Sequence, residues 1–422
     1  MFRTMKNAWG VPEVRKKILY TLLMLAVFRL GSFIPIPGVD AAYISEMVGK
    51  YDMLGFLNVM TGGGFGEFTI FAMGIQPYIT ASIIVNLLTI AIPALERISK
   101  EENGREKIEK ITRTLGIVFA GIMSIGIVLG IGSGAIQTSE TIPTWLTYIT
   151  IALVATAGTA FAMWIGERIT EKGIGNGISM LIFVGIASRL LPTVINFFTQ
   201  VFNGAITFWL IPVAVVLVAV LVGCLTLVDL GERRVPVQYA KRVVGRKMYG
   251  GQSTHIPMRV NQNGVMPLIF AMTIIQFPGM IAQFWPNSGF YSFYTKWLGS
   301  GTVLYMIIYF LLIIAFAYFY TAISFNPIEI SKNLQQNGGF IPGIRPGRPT
   351  SDYLHRISTR LTLFGAFFLA LVAAVPTLFT SVFGMSSGFG ATSLLILVSV
   401  ALETSKTLEA EMTMRNYKGF LK

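Results

Sequence analysis

Residues 52–92 read DMLGFLNVMTGGGFGEFTIFAMGIQPYITASIIVNLLTIAI, and two different physical problems meet inside that stretch. Its second part, residues 71–92, is apolar and carries no charged side chain. A helix rises 1.5 Å per residue, so about 20 apolar residues cross a hydrocarbon core of about 30 Å. Residues 71–92 therefore read as a membrane span. The first part, residues 52–67, is too short and glycine-rich to cross, yet too apolar for an ordinary outer loop. Broken backbone at membrane depth must sit inside protein or line a cavity, so this piece reads as re-entrant or pore-inserted.

The rest of the chain repeats the apolar signal. Of 422 residues, 53% are hydrophobic and 13% charged, against about 25% charged in a soluble domain. Apolar runs recur at residues 18–33, 71–92, 115–136, 145–165, 179–198, 206–228, 265–285, 303–324, 361–380 and 391–402. No small-residue cleavage site follows residues 18–30, so that run reads as the first span and not as a removable signal. The expected fold class is an all-α polytopic membrane protein with ten transmembrane helices.

Charge placement orients it. The N-terminus, four alternate loops and the C-tail hold 29 of the 33 Lys and Arg residues. The opposite loops hold Lys50, Arg189 and Lys296, and Arg29 sits within the first run. Basic residues stay cytoplasmic, so both termini are expected inside. Two basic segments, residues 229–263 and 325–360, are too long to be plain connections. In the first, Arg233, Arg234, Lys241, Arg242, Arg246 and Lys247 interleave with Val235, Val237, Tyr239, Val243, Val244 and Tyr249. That alternation predicts a projecting β-hairpin turning near Gly245, suited to docking a partner. In the second, the Pro and Gly of GGFIPGIRPGRP hold Arg345 and Arg348 out from the surface. Five spans precede the first long loop and five follow, which permits two inverted halves, 1–200 and 201–422, about a central pathway.

Catalytic chemistry is not legible. Gly384-Met385-Ser386-Ser387-Gly388 matches a nucleophile elbow by letter, but that elbow needs a strand-to-helix turn. His255 and His355 fall on the other side of the membrane from it. Gly173-Ile174-Gly175-Asn176-Gly177 lacks the lysine and hydroxyl of a phosphate loop and reads as a tight turn between spans. Cys224 is the sole cysteine, which excludes an intrachain disulfide and suggests no metal cluster. No cofactor is expected. Arg29 is a charge at membrane depth, a functional position by default or a snorkelling one. Asn86 and Gln276, polar residues within spans, suit helix-to-helix bonding or a wet path.

Several long strings resemble the SecY family of protein translocation channels: FRLGSFIPIPGVD (28–40), FAMGIQPYITASIIVNLL (71–88), EKGIGNGISMLIFVGI (171–186), RRVPVQYAKR (233–242), QSTHIPMRVN (252–261) and FNPIEISKNLQQNGGFIPGIRPG (325–347). The resemblance implies ten spans in two pseudo-symmetric halves that conduct unfolded preproteins, admit signal sequences and release hydrophobic segments sideways into the lipid bilayer. It implies no enzymatic activity, a place in the bacterial cytoplasmic membrane, and work with SecE, SecG, the ATPase SecA and the ribosome. By the same resemblance residues 52–67 form a plug, with Phe56, Leu57, Met60, Gly62, Gly63 and Gly64. A pore ring falls on Ile75, Ile79, Ile182, Ile186, Ile269 and Ile396. A lateral gate takes Thr80, Asn86, Gln276 and Phe277, and Arg345 with Lys241, Arg242 and Arg246 docks SecA or the ribosome. A solute transporter would need further charged residues within spans, and an intramembrane protease would need nucleophile and base on one side.

Overall fold

The computed structural model describes residues 9–50, 54–55, 58, 61–101, 103–131, 136, 143–203, 208–239, 242–244, 247–249, 253–261, 264, 266–282, 288–299, 302–382 and 391–418. Ten of its helices carry the ten apolar runs. They are α1 (Pro12–Gly31), α3 (Gln76–Ala91), α5 (Gly104–Ile131), α6 (Thr144–Lys172), α7 (Gly177–Phe202), α8 (Leu210–Leu230), α9 (Met266–Ala282), α11 (Val303–Ser324), α13 (Arg348–Val382) and α14 (Ala391–Lys418). Shorter helices lie between them: α2 (Ala41–Lys50), α4 (Pro93–Ser99), α10 (Gly289–Leu298) and α12 (Pro327–Gln336).

Among the described residues, five stretches are long and apolar enough to cross a membrane by themselves, within α5, α6, α8 and α13 and along α11 into α12. A sixth is completed if α3 and α4, bent by 105°, count as one span. Pro93 explains the bend: it opens α4 without an N–H to donate, and Ile92 before it is extended. α7 and α9 contain shorter apolar stretches, Gly177–Pro192 and Met266–Gly279. Each carries an internal proline, Pro192 and Pro278. α1 and α14 take charged residues into their lengths, among them Lys17, Arg29, Lys406 and Glu411.

Two compact units divide the chain. The first comprises Met1–Leu210, Thr273–Tyr305 and Phe379–Lys422; the second comprises Ile211–Met272 and Met306–Leu378. In the first unit α3, α5, α6 and α7 pack in succession, and α1 lies against α6 and α7. The turn from α6 to α7 is tight because Gly175 adopts φ +74° and Asn176 caps α7 by accepting from the Ile178 and Ser179 amides. Gly177 lets the two helices close, since a Cβ there would lie 1.9 Å from the Gly166 carbonyl oxygen.

In the second unit the two long basic segments fold together. β1 (Glu232–Tyr239) pairs antiparallel with β4 (Ser253–Arg259), and β2 (Arg242–Val244) pairs with β3 (Lys247–Tyr249). The two pairings belong to separate sheets and are in phase with one another, from Glu232↔Arg259 to Gln238↔Ser253 in the first and from Arg242↔Tyr249 to Val244↔Lys247 in the second. The antiparallel pairing expected of the arms is thus present, while the expected turn near Gly245 lies outside the described residues. On the other edge of β1, β5 (Gly339–Phe340) adds a third strand from the second segment. The alternation has a physical cause: Val235 and Val237 are buried while Arg234 and Pro236 face out. With Met258, Leu334, Ile341 and Leu354 they form a small core of their own.

Candidate functional site

The glycine segment is the most unusual backbone in the first unit. Residues 61–66 are all buried yet form turns, not a helix. Their neighbours are a core of Ile36, Ile44, Leu54, Phe65, Phe68, Met73, Val128 and Ile151, drawn from α2, α5, α6 and the flanking chain. Internal hydrogen bonds satisfy the irregular backbone, as burial requires. The Gly63 amide donates to the Asn58 carbonyl at 2.7 Å, and the Gly66 amide to Asn58 Oδ1 at 2.8 Å. The Phe65 amide donates to Thr61 Oγ1 at 3.0 Å, and the Thr69 amide to the Gly64 carbonyl at 2.8 Å. The backbone beyond is tied to the chain that leaves α1, through Ile36 to Phe68 at 3.0 Å and Ile70 to Ile34 at 2.9 Å.

Two arginines reach this segment. Arg29, in the last turn of α1, donates from Nη1 to the Gly62 carbonyl at 2.8 Å, with its guanidinium 4.5 Å from the Phe33 ring centroid. Arg189 donates from Nη2 to Asn58 Oδ1 at 3.5 Å. The sequence reading counted Arg189 among outer loops; the structure places it within α7. Its position inside the apolar run 179–198 was the signal that could have found it. Gly62 and Gly63 take φ +68° and +98°, where side chains are strained. A Cβ on Gly63 would also collide with the Arg189 guanidinium, and one on Gly62 would lie 2.8 Å from Ser188 Oγ. Phe56, Leu57 and Met60 lie outside the described residues.

The six isoleucines are all buried. Ile75 caps α3 and Ile79 follows one turn on, its amide donating to the Ile75 carbonyl at 3.0 Å. Ile182 and Ile186 share a face of α7 at the same spacing, and Ile396 lies on α14 in the same unit. Ile269, on α9, belongs to the second unit. None exceeds 6% exposure, so no one of them is a plain lipid-facing side chain. Thr80 and Gln276 are buried, and Asn86 and Phe277 half-buried. Asn86 donates to Ser82 Oγ on its own helix at 3.5 Å, which favours neither of its two sequence roles. Gln276 hydrogen-bonds with Tyr305. Just beyond it Pro278 lies inside α9, and the Tyr294 hydroxyl of α10 donates to the Ile275 carbonyl at 3.2 Å.

The platform of the second unit presents Arg345. Gly343 and Gly347 flank it at φ +81° and +96°. Its own carbonyl accepts from Thr350 Oγ1 at 2.8 Å, and the Gly347 carbonyl accepts from Ser331 Oγ at 2.6 Å. The turn is thereby fastened to α12 and α13 while the guanidinium stands exposed. Arg242 lies on β2; Lys241 and Arg246 are outside the described residues, as is the serine motif 384–388.

Together these features define a mostly helical membrane protein with a buried glycine segment in one unit and a folded basic platform in the other. A family model for SecY matches residues 69–405. The protein translocase subunit SecY of Streptomyces coelicolor is 44% identical, with all of both chains covered. Among solved structures, a SecY translocation channel whose plug domain stabilises the closed state superposes with a TM-score of 0.67 at 18% identity, covering 97% of each chain. Sec61 from a canine ribosome-channel complex gives 0.64 at 17% identity with the same coverage; these two show the fold alone. The chain belongs to the SecY family. It is accordingly a subunit of a protein-translocating channel and not an enzyme.

Proposed function

We propose that this chain is the pore subunit of the general secretory pathway in a bacterial cytoplasmic membrane. It passes unfolded preproteins outward and releases hydrophobic segments sideways into lipid. Ten spans cross the membrane in two inverted halves, residues 1–200 and 201–422, with both termini in the cytoplasm. The observation that carries the reading is the buried, non-helical glycine segment enclosed by helices of the first unit. A span has no use for such backbone, whereas a movable stopper has: it must seal the path at rest and hold few bonds that helices would make permanent.

Around it, the six isoleucines supply the constriction. A ring of branched apolar side chains discourages a continuous water column by dewetting, and it yields through rotamer changes while the helices stay in place. The burial of all six suits a shut constriction; Ile269 joins the set by family likeness. Thr80, Asn86, Gln276 and Phe277 edge the lateral gate. Arg345 on its fastened turn, with Lys241, Arg242 and Arg246 of the hairpin, docks SecA or the ribosome. SecE and SecG complete the membrane assembly. The deciding experiment reconstitutes the chain with SecE, SecG and SecA in vesicles. ATP-dependent, protease-protected import of a secretory precursor is the expected result, and transport of small solutes without precursor import would overturn the reading.

A further inference from the structure

We propose that Arg29 and Arg189 form a two-point latch on the glycine segment, and that its strength decides which signal sequences open the pore. The inference rests on the stopper reading of residues 52–67 given above. Two guanidiniums from different helices, α1 and α7, converge on one short stretch of chain. One binds the backbone carbonyl of Gly62, where Ser188 Oγ adds a second donor at 3.4 Å. The other binds the side chain of Asn58, which also holds the segment's own fold through Gly63 and Gly66. The latch therefore grips the segment's internal staple. The two consecutive glycines, 62 and 63, are what allow the approach.

Release has a definite electrostatic consequence. Arg189 feels the attraction of Glu67 and the repulsion of Arg29, so the two like charges that grip the segment also interact with each other. When it leaves, each half-buried guanidinium loses its bond to the segment while the repulsion between the two remains. Hydrogen bonds to charged groups are stronger than neutral ones, so parting them carries a cost. Opening thus has to be driven, and an inserting signal sequence supplies the drive. A signal of poor hydrophobicity supplies less. The latch is the threshold it fails to pass.

The test uses inverted membrane vesicles carrying the complete translocase. It compares import of a precursor with an intact signal against one whose signal core carries a single charge, alongside resting ion leak. Arg29→Gln and Arg189→Gln should each raise the defective-to-intact import ratio about tenfold, the size expected for one charged hydrogen bond, and should raise leak. Arg189→Lys should stay near the parent. Asn58→Asp keeps the acceptor for Gly66 and gives Arg189 a carboxylate, so it should lower the ratio below the parent. An increase with Asn58→Asp would overturn the latch. Unchanged ratio and leak in both Gln variants, with leak raised by deletion of residues 52–67, would overturn the latch and leave the stopper standing. A deletion that leaves leak unchanged would overturn the stopper itself.

Discussion

Lys17 and Glu411 stand 394 positions apart in the chain and meet at 2.6 Å, the ammonium of α1 donating to the carboxylate of α14. Below the pair, Val14, Ile174 and Leu408 form a buried cluster with Val11, Ile18 and Met412 around them. The α6–α7 turn, through Ile174, is the wedge between the first and last helices. The Ile174 amide is itself held by Thr21 Oγ1 of α1 at 3.1 Å.

The ion pair is partly exposed, at 34% and 18% for its two side chains, so its worth is modest. A double-mutant cycle with Lys17→Ala and Glu411→Ala should give a coupling of about 1 kcal/mol. The exchange Lys17→Glu with Glu411→Lys should recover most of what either reversal loses. A coupling of zero, read from thermal unfolding in detergent, would show that the apolar cluster holds the helices unaided.

Arg345 offers a cleaner test, because its carbonyl holds the turn while its guanidinium is exposed. Arg345→Glu should abolish most SecA-driven import while the protein reaches the membrane in normal amount. Arg345→Lys keeps the charge but loses the planar fork that grips carboxylate or phosphate through two parallel bonds. An intermediate import rate is expected for it. Parent-like import in the Glu variant would remove the docking assignment.

The platform should unfold without the membrane helices. Val237 is buried beside Leu334 and Ile341, so Val237→Asp places an unpaired charge there, costing about 3 kcal/mol. Limited proteolysis should then cut within residues 229–263 and 325–360 together. Cutting in only one segment would contradict their shared core.

Cysteines at Ile79, Ile182 and Ile269 should each crosslink to a precursor stalled in transit. Replacing the six isoleucines with serine should raise resting ion leak, while large apolar replacements should hold the seal. Labelling of these positions only by lipid-soluble probes would place them outside the path.

Reporter fusions address orientation. A reporter after Lys422 should lie in the cytoplasm and one within residues 288–295 outside, following the asymmetry of basic residues. Finding both on one side would break the even span count.

The helices were legible because runs of apolar residues long enough for a bilayer have few other meanings. The hairpin was legible in the period-two alternation around Val235 and Val237. The pairing of its first strand with Gly339–Phe340 was not, since a contact across a hundred residues leaves no local pattern. α10 escaped notice for a different reason: at ten residues it is too short to read as a span, and it lies in a stretch read as an outer loop. Arg189 was missed because counting charges by side of the membrane hides a charge that faces inward from a helix. The reason for Gly62 and Gly63 was equally hidden, for it lies in what approaches them from α1 and α7, while Gly64 is closed in by Thr61 and Thr69 of its own stretch.

The register of β1 against β4, from Glu232↔Arg259 to Gln238↔Ser253, with β2 and β3 in phase beyond it, sets a grammar for how this chain can change over generations. Residues alternate faces along a strand, so adding one residue to a single arm would turn Val235 and Val237 outward and bring Arg234 into the small core. The hairpin can accept new letters at its outward positions freely, and new length only in matched pairs on both arms. Its reach beyond the core is then adjustable in steps of about 3.4 Å per added pair, which lets the projection be refitted to a differently shaped partner without redesigning its base.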